Sequence, residues 1–114
     1  MRLKVEHRLR DILAAGENIH EFVAGLSFEE YLRSKLARAG VERELITIGE
    51  ALNAALQMDP TLHDRINEAR DIVDFRNMLV HGYGRIEDDR VWGAIHDKLP
   101  LLLSQVRALL PPAP

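Results

Sequence analysis

Apolar residues recur every three or four positions along most of the chain, the spacing that places them on one face of an α-helix. The first such run spans about residues 3–24. Its apolar face carries Leu9, Ile12, Leu13, Ile19 and Val23. Gly16 falls on the same face, where glycine costs about 1 kcal/mol relative to alanine, so we expect a close helix crossing there. Strand-like alternation is absent, and the pattern predicts an all-α fold.

The next helices are bounded by recognisable capping and stop signals. The sequence SFEE at residues 27–30 is a capping-box pattern and opens a second helix. Gly40 either breaks this helix or is absorbed in a longer one. The apolar pattern continues from Glu42 to about Met58, and the Asp-Pro pair at residues 59–60 ends that run.

A fourth helix is predicted over about residues 61–81, ended by the glycine-rich residues 82–84. Residues 88–89, both Asp, offer an N-cap for a fifth helix, and Pro100 either kinks that helix or restarts a leucine-rich last one. The short connections predict an antiparallel bundle of about five helices. We expect one domain over residues 1–110, followed by a disordered tail of sequence PPAP at residues 111–114.

Composition narrows the class of protein. The chain has 114 residues, 46% of them apolar, which suits one domain with a filled core. The absence of cysteine excludes disulfides, thiolate metal sites and a cysteine nucleophile. We find no 18-residue apolar run and no secretory core, so we expect no membrane association and a cytoplasmic location.

Charge leaves the partner open. Fifteen basic residues stand against eighteen acidic ones, a net charge of −3 that does not indicate a nucleic-acid binder. Arginine nevertheless dominates the basic set. That bias fits phosphate handling or interface ion pairs, and GC-rich coding produces it equally well.

One charged residue interrupts the apolar face of the fourth helix. At 100° per residue, Arg76 lies near the middle of an arc of apolar side chains. The arc comprises Leu62, Ile66, Ala69, Ile72, Val73, Phe75, Leu79 and Val80. A desolvated guanidinium costs roughly several kcal/mol unless it is paired. Arg76 therefore either snorkels, or pairs with an internal carboxylate such as Glu50, or is held at a second surface to bind a phosphate.

His81 follows Arg76 by five residues, about 140° around an undistorted helix. The two side chains converge if the helix end distorts, or if a two-fold partner supplies the second copy of each. This geometry predicts a homodimer with a composite cleft, although a histidine at a helix end is more often a cap or surface group. The other histidines lack metal-ligand spacing, so we predict no metal and no cofactor. They are His7, His20, His63 and His96.

The sequence RNMLVHGY at residues 76–83 resembles the Arg-x4-His-x-Tyr motif of HepT-like proteins, a branch of the HEPN superfamily. Residues 11–13, 28–32, 48–51 and 91–92 and the leucine-rich last helix are also similar to family stretches. An Arg-x4-His pair alone occurs by chance in many proteins. The Asn after the Arg, the Tyr two positions after the His, and the helical frame make the match specific over nearly the whole chain.

The resemblance implies an all-α, HEPN-like ribonuclease toxin of a two-gene toxin–antitoxin system. Its antitoxin would be a small MntA-like nucleotidyltransferase that adenylylates the motif tyrosine, here Tyr83. The resemblance also implies a homodimer with the motif at the dimer seam. Carried over to this chain, Arg76 and His81 are the catalytic pair and Asn77 is a supporting residue that orients the site.

The chemistry suits these residue types. RNA carries its own nucleophile, the 2′-hydroxyl, so metal-independent cleavage needs a proton acceptor and stabilisation of the charge on the phosphate. The imidazole of His81 can exchange protons near neutral pH. The guanidinium of Arg76 can neutralise the non-bridging oxygens. An AMP group on Tyr83 would bring negative charge to the site and repel RNA.

Two other interpretations stay open. The chain could be a non-catalytic helical module that binds a nucleotide or docks a nucleotidyltransferase, with Arg76 holding a carboxylate or phosphate of the partner. The acidic net charge favours this modestly, because RNA binding draws on phosphate contacts. It could also be a helical dimerisation subunit whose polar seam sets the register.

Overall fold

The computed structural model describes residues 2–67, 69–81 and 87–112. Its helices are α1 (Leu3–Val23), α2 (Phe28–Arg33), α3 (Lys35–Met58), a 3-10 turn (Pro60–Asp64), α4 (Ala69–His81), α5 (Asp88–Asp97) and α6 (Leu99–Leu109). No strand occurs in these ranges, so the all-α class is confirmed. The described α-helices number six, consistent with the predicted bundle of about five, and the sixth arises because the chain restarts at Pro100 as a separate last helix.

The helices form a thin bundle around α3. The longest α3 interface is with α1, α4 packs on another side of α3, and α6 packs against α1 and α5. The shortest dimension of the molecule is 19 Å, about two helix diameters. A bundle two helices thick leaves each helix with a face that no other helix covers.

The predicted close crossing at Gly16 is confirmed. A Cβ atom at Gly16 would lie 2.6 Å from Cδ2 of Leu103, so α6 approaches the backbone of α1 directly. The flanking α1 positions Ile12 and Ile19 are fully buried. Glycine therefore trades helix propensity for a tighter contact between the two helices.

One non-helical residue, Ser34, separates α2 from α3, and Gly40 lies within α3. Ser34 has an extended backbone, and its hydroxyl accepts a hydrogen bond from the backbone N–H of Ala37 at 3.0 Å. This N-cap satisfies one of the orphan donors of α3. Gly40 lies mid-helix because it faces Phe22, whose ring carbon would be 2.9 Å from an added Cβ.

The predicted helix over 61–81 is wrong at its beginning. Residues 60–64 form the 3-10 turn, and α4 begins at Ala69. Asp59 caps the 3-10 turn by accepting from the backbone N–H of Thr61 at 3.2 Å. The apolar residues Leu62 and Ile66 are nevertheless buried, so packing against the bundle takes precedence over continuing the helix.

The last two helices begin close to the predicted signals. The N-cap of α5 is Glu87, one residue before the predicted pair, and residues 88–89 occupy its first turn. Pro100 restarts the chain as α6, at a position near the helix start where proline is tolerated. In the part of the chain that the structure describes, no helix has the length and apolar character needed to cross a membrane.

Candidate active site on the fourth helix

The fourth helix carries more apolar side chains than the rest of the chain buries. Of its large apolar residues, only Leu79 is buried, and Val80 is 43% exposed. The remaining large apolar side chains are partly buried. They are Ile72, Val73, Phe75 and Met78. Helix α4 packs on α3, and its other apolar side chains keep part of their surface exposed in the single chain.

Arg76 points from α4 toward α3, where two hydrogen bonds hold its guanidinium. Its Nη1 donates to Oδ1 of Asn77 at 2.7 Å, and its Nη2 donates to Oε1 of Glu50 at 3.1 Å. The second contact is also an ion pair, in which the Arg76 side chain is 25% exposed. Of the three sequence-based alternatives for Arg76, pairing with Glu50 is therefore observed.

These two hydrogen bonds leave other N–H donors of the Arg76 guanidinium unused. Arginine has five N–H donors, and the two hydrogen bonds to Asn77 and Glu50 use one donor each. The Nε atom is buried and finds no acceptor among the described residues. Because the terminal nitrogens carry four of the five N–H groups, two donors at that partly exposed end remain for a further anion.

Gly49 permits this arrangement, a role that the sequence analysis did not predict. A Cβ atom at Gly49 would overlap Cβ and Cγ of Arg76, so the arginine stem lies directly on the backbone of α3. The available signal was a glycine inside a helix, beside Glu50, despite a propensity cost of about 1 kcal/mol. Gly49 and Glu50 thus form one α3 seat for the arginine.

His81 is the last residue of α4 and is exposed. Because α4 remains α-helical through His81, the helix-end distortion that could have brought His81 to Arg76 is not seen. Regular geometry separates the two residues by about 140° and about 7.5 Å along the axis. Tyr83 and the glycines beside it lie outside the described residues.

A groove lies on another side of α4. It has a volume of about 460 Å³ between α3, α4, α5 and α6, and Ile72 and Phe75 contribute to its lining. Arg76, Asn77 and His81 do not line it. Within the described ranges, no three His, Asp or Glu side chains come together as a possible metal site.

A second polar cluster lies at the start of α5, where it meets α3. Asp88, in the first turn of α5, pairs with Arg38 of α3 at 3.8 Å. Burial raises the pKa of the nearby Glu42 carboxyl, and the negative charge of Asp88 raises it further. Burial also raises the pKa of the Tyr31 hydroxyl, which is enclosed without a hydrogen-bond partner among the described residues.

Comparison with known proteins identifies the family. The model of the family described as Ribonuclease HepT-like matches residues 12–109. The chain belongs to the HepT-like ribonuclease family. This confirms the resemblance drawn from residues 76–83.

Relatives of similar length carry ribonuclease names. A probable ribonuclease HepT of Thermococcus cleftensis is 30% identical, and the match covers 94% of this chain and 98% of the relative. A protein provisionally named an RNase in Methanocaldococcus jannaschii is 26% identical over 86% of this chain and 89% of its own. Another, from Caldanaerobacter subterraneus, is 28% identical over 90% of each. No solved structure gives a significant match.

Proposed function

We propose that this HepT-like protein is a metal-independent endoribonuclease and the toxin of a toxin–antitoxin system, acting as a homodimer. Family membership and the names of its relatives support a ribonuclease. The observation that carries the proposal is the setting of the motif on α4. Arg76 is anchored against α3 with donors to spare, while His81 ends the same helix on a different side.

A second copy of the chain would complete the site. One regular helix directs Arg76 and His81 about 140° apart, so a single phosphate would not meet both from the same chain. A two-fold axis beside α4 would bring His81 of each protomer toward Arg76 of the other. The uncovered apolar residues of α4, Val80 among them, would supply the contact between protomers.

In the proposed reaction the RNA 2′-oxygen attacks the adjacent phosphorus while one His81 accepts the 2′-hydroxyl proton. The bond from phosphorus to the 5′-oxygen breaks, and the second His81 of the dimer donates a proton to that oxygen. Arg76 stabilises the charge on the non-bridging oxygens, and Asn77 and Glu50 hold its guanidinium in position. The products are a 2′,3′-cyclic phosphate and a 5′-hydroxyl.

Substitution of the pair tests the chemistry. We expect Arg76→Ala and His81→Ala each to lower RNA cleavage by about 10²- to 10⁴-fold, because each removes a group that acts on the reacting atoms. Cleavage of a labelled RNA is measured alongside circular dichroism, which should stay helical. Arg107→Ala and His20→Ala, at exposed positions on α6 and α1, are matched controls. Full cleavage by His81→Ala would remove the histidine from the mechanism.

We propose that a nucleotidyltransferase antitoxin neutralises the enzyme by adenylylating Tyr83. The tyrosine hydroxyl would attack the α-phosphorus of ATP, form a phosphodiester and release pyrophosphate. Incubation with ATP and an MntA-like nucleotidyltransferase should add one AMP mass to the wild type and none to Tyr83→Phe, with cleavage lost in parallel. Equal labelling of both proteins would rule out this site.

The pairing of Arg76 with Glu50 favours one rival function. A guanidinium already balanced by a carboxylate is compatible with a structural role in a non-catalytic module that docks a nucleotidyltransferase. Incubation with total RNA separates the two functions. A purified dimer that neither cleaves nor binds RNA, and yet forms a complex with the nucleotidyltransferase, would establish the module.

A further inference from the structure

A second, smaller hollow opens where α3, the 3-10 turn and the first turns of α4 meet. Its volume is about 150 Å³. The lining is mainly polar and is formed by Asn53, Leu56, Gln57, His63, Arg70, Val73 and Asp74. Two amides, an imidazole, a guanidinium and a carboxylate therefore converge on one small cavity.

The hollow lies on the side of α4 that carries the histidine of the motif. Arg70, Asp74, Asn77 and His81 follow one another at spacings of four, three and four residues, which places them on one stripe of the helix. Arg70 precedes His81 by eleven residues, about 16 Å along the axis. The hollow thus lies on the same stripe of α4 as the histidine of the motif, but too far away to touch the same phosphate.

Most polar side chains of the hollow are available to bind a ligand. Asn53, Gln57, His63 and Arg70 are exposed, and their side chains make no hydrogen bond or ion pair within the described part of the chain. Elsewhere on the bundle, exposed amides do find partners, as Asn18 does with Glu44 at 2.7 Å. A cavity whose donors and acceptors remain available is suited to a polar ligand.

We propose that this hollow is a nucleotide subsite that binds an unpaired RNA nucleotide flanking the one that is cleaved, an inference that rests on the proposed ribonuclease function. The guanidinium of Arg70 takes a phosphate. The amides of Asn53 and Gln57 pair with a base edge, and His63 offers a ring for stacking.

The chemistry of the lining also sets a preference. Asn and Gln amides pair well with adenine, and a carboxylate such as that of Asp74 accepts a hydrogen bond from the exocyclic amino group of cytosine. Uracil carries the carbonyl oxygen O4 where cytosine carries its amino group, and a carbonyl oxygen is repelled by a carboxylate. The subsite therefore favours adenine or cytosine over uracil.

Binding measurements test the subsite separately from cleavage. Fluorescence anisotropy of 12-nucleotide oligomers of A, C and U is measured with a His81→Ala parent. Adding Arg70→Ala should weaken all three by on the order of tenfold and lower the salt slope by about one. Adding Asn53→Ala with Gln57→Ala should weaken A binding to the level of U, and adding Asp74→Ala instead should bring C binding to the level of U. Arg107→Ala and Asn18→Ala, on α6 and α1, are the controls.

The outcomes separate the two proposals. Hollow variants that bind all three oligomers as the controls do would overturn the subsite, whether or not the wild type cleaves RNA. Binding that depends on Arg70 and on the amides, without cleavage by the wild type, would support the hollow as a site for an unpaired RNA nucleotide and overturn the nuclease. A wild type that neither binds nor cleaves RNA would overturn both.

Discussion

At the scale of single residues, the central fact is that two helices cooperate to seat one arginine. Glu50 and Asn77 accept hydrogen bonds from the two terminal nitrogens of Arg76, and Gly49 leaves room for its stem. A long flexible side chain loses up to about 2 kcal/mol of rotamer entropy when ordered. Here that cost is met before any substrate binds, which supports the phosphate recognition proposed for this arginine.

The glycine seat predicts a stability effect opposite to helix propensity. Gly49→Ala should lower the free energy of unfolding by about 1–3 kcal/mol, because the new methyl group overlaps the Arg76 stem and forces α3 and α4 apart. Urea titration followed by circular dichroism measures it.

Gly93→Ala is the matched helical control for Gly49→Ala. An added Cβ at Gly93 has Oδ2 of Asp97 as its nearest neighbour at 4.0 Å. That substitution should leave stability unchanged or raise it by up to about 1 kcal/mol, because alanine favours the helix. Equal stability of the two variants would contradict the seat.

At the scale of elements, the start of α5 is tied to α2 and α3 by both charge and aromatic packing. Asp88 pairs with Arg38, and Trp92 packs its ring 5.1 Å from that of Tyr31 and 5.8 Å from that of Phe28. These contacts hold the first turns of α5 against α2 and α3. The polar part of this contact is unfavourable for the charged form of Glu42, because Glu42 is partly buried near the carboxylate of Asp88.

The enclosure of Glu42 predicts a pH dependence of stability. Burial and, to a lesser extent, the negative charge of Asp88 raise the pKa of the Glu42 carboxyl in the folded state above its ordinary value of 4.5, and the positive charge of Arg38 opposes them. The folded state therefore holds the proton more tightly, and stability falls as pH rises from 4.5 through the folded pKa and remains lower above it. Glu42→Gln should raise the free energy of unfolding at pH 7 and change little well below pH 4.5.

Chemical unfolding across this pH range measures the difference between wild type and Glu42→Gln. Glu17→Gln, an exposed substitution on α1, is the control and should give no comparable gain at neutral pH. A Glu42→Gln variant that is less stable than the wild type at pH 7 would mean that attraction to Arg38 outweighs burial.

At the scale of the whole molecule, the thin bundle leaves α4 incompletely covered. The molecule is 19 Å across its shortest dimension, and most large apolar side chains of α4 stay partly accessible. Apolar surface of this kind on a small protein commonly marks an interaction face. This is the physical basis for proposing that two copies meet at α4.

We expect the protein to be a dimer in solution, and Val80→Glu to make it monomeric and inactive while it stays folded. A charge introduced at this 43% exposed position would be buried at the proposed seam. Light scattering after size exclusion gives the mass. Leu101→Glu, at a 47% exposed apolar residue of α6, should remain dimeric. A wild type that is monomeric at every concentration would end the composite-site mechanism.

The sequence by itself determined the helical class and most helix positions, and it singled out Arg76 as a charge on an apolar helix face. Apolar periodicity and capping residues act within a few positions, so α1, the capping box of α2 and the close crossing at Gly16 could be read directly. Arg76 stood out because a charge on an apolar face is unfavourable wherever the helix packs. The motif at residues 76–83 was sufficient to indicate the family.

Only the tertiary structure decided which distant residues these local features contact. The stretch at residues 60–67 has helical apolar spacing, yet its burial is achieved in a 3-10 turn, and Gln105 of α6 accepts a hydrogen bond from the backbone of Asn67. Besides its neighbour Asn77, Arg76 pairs with Glu50, which is 26 residues away in the chain, and its stem lies on the backbone of Gly49. Periodicity is a local property, whereas the choice of partner depends on the free energy of packing segments that are distant in the chain.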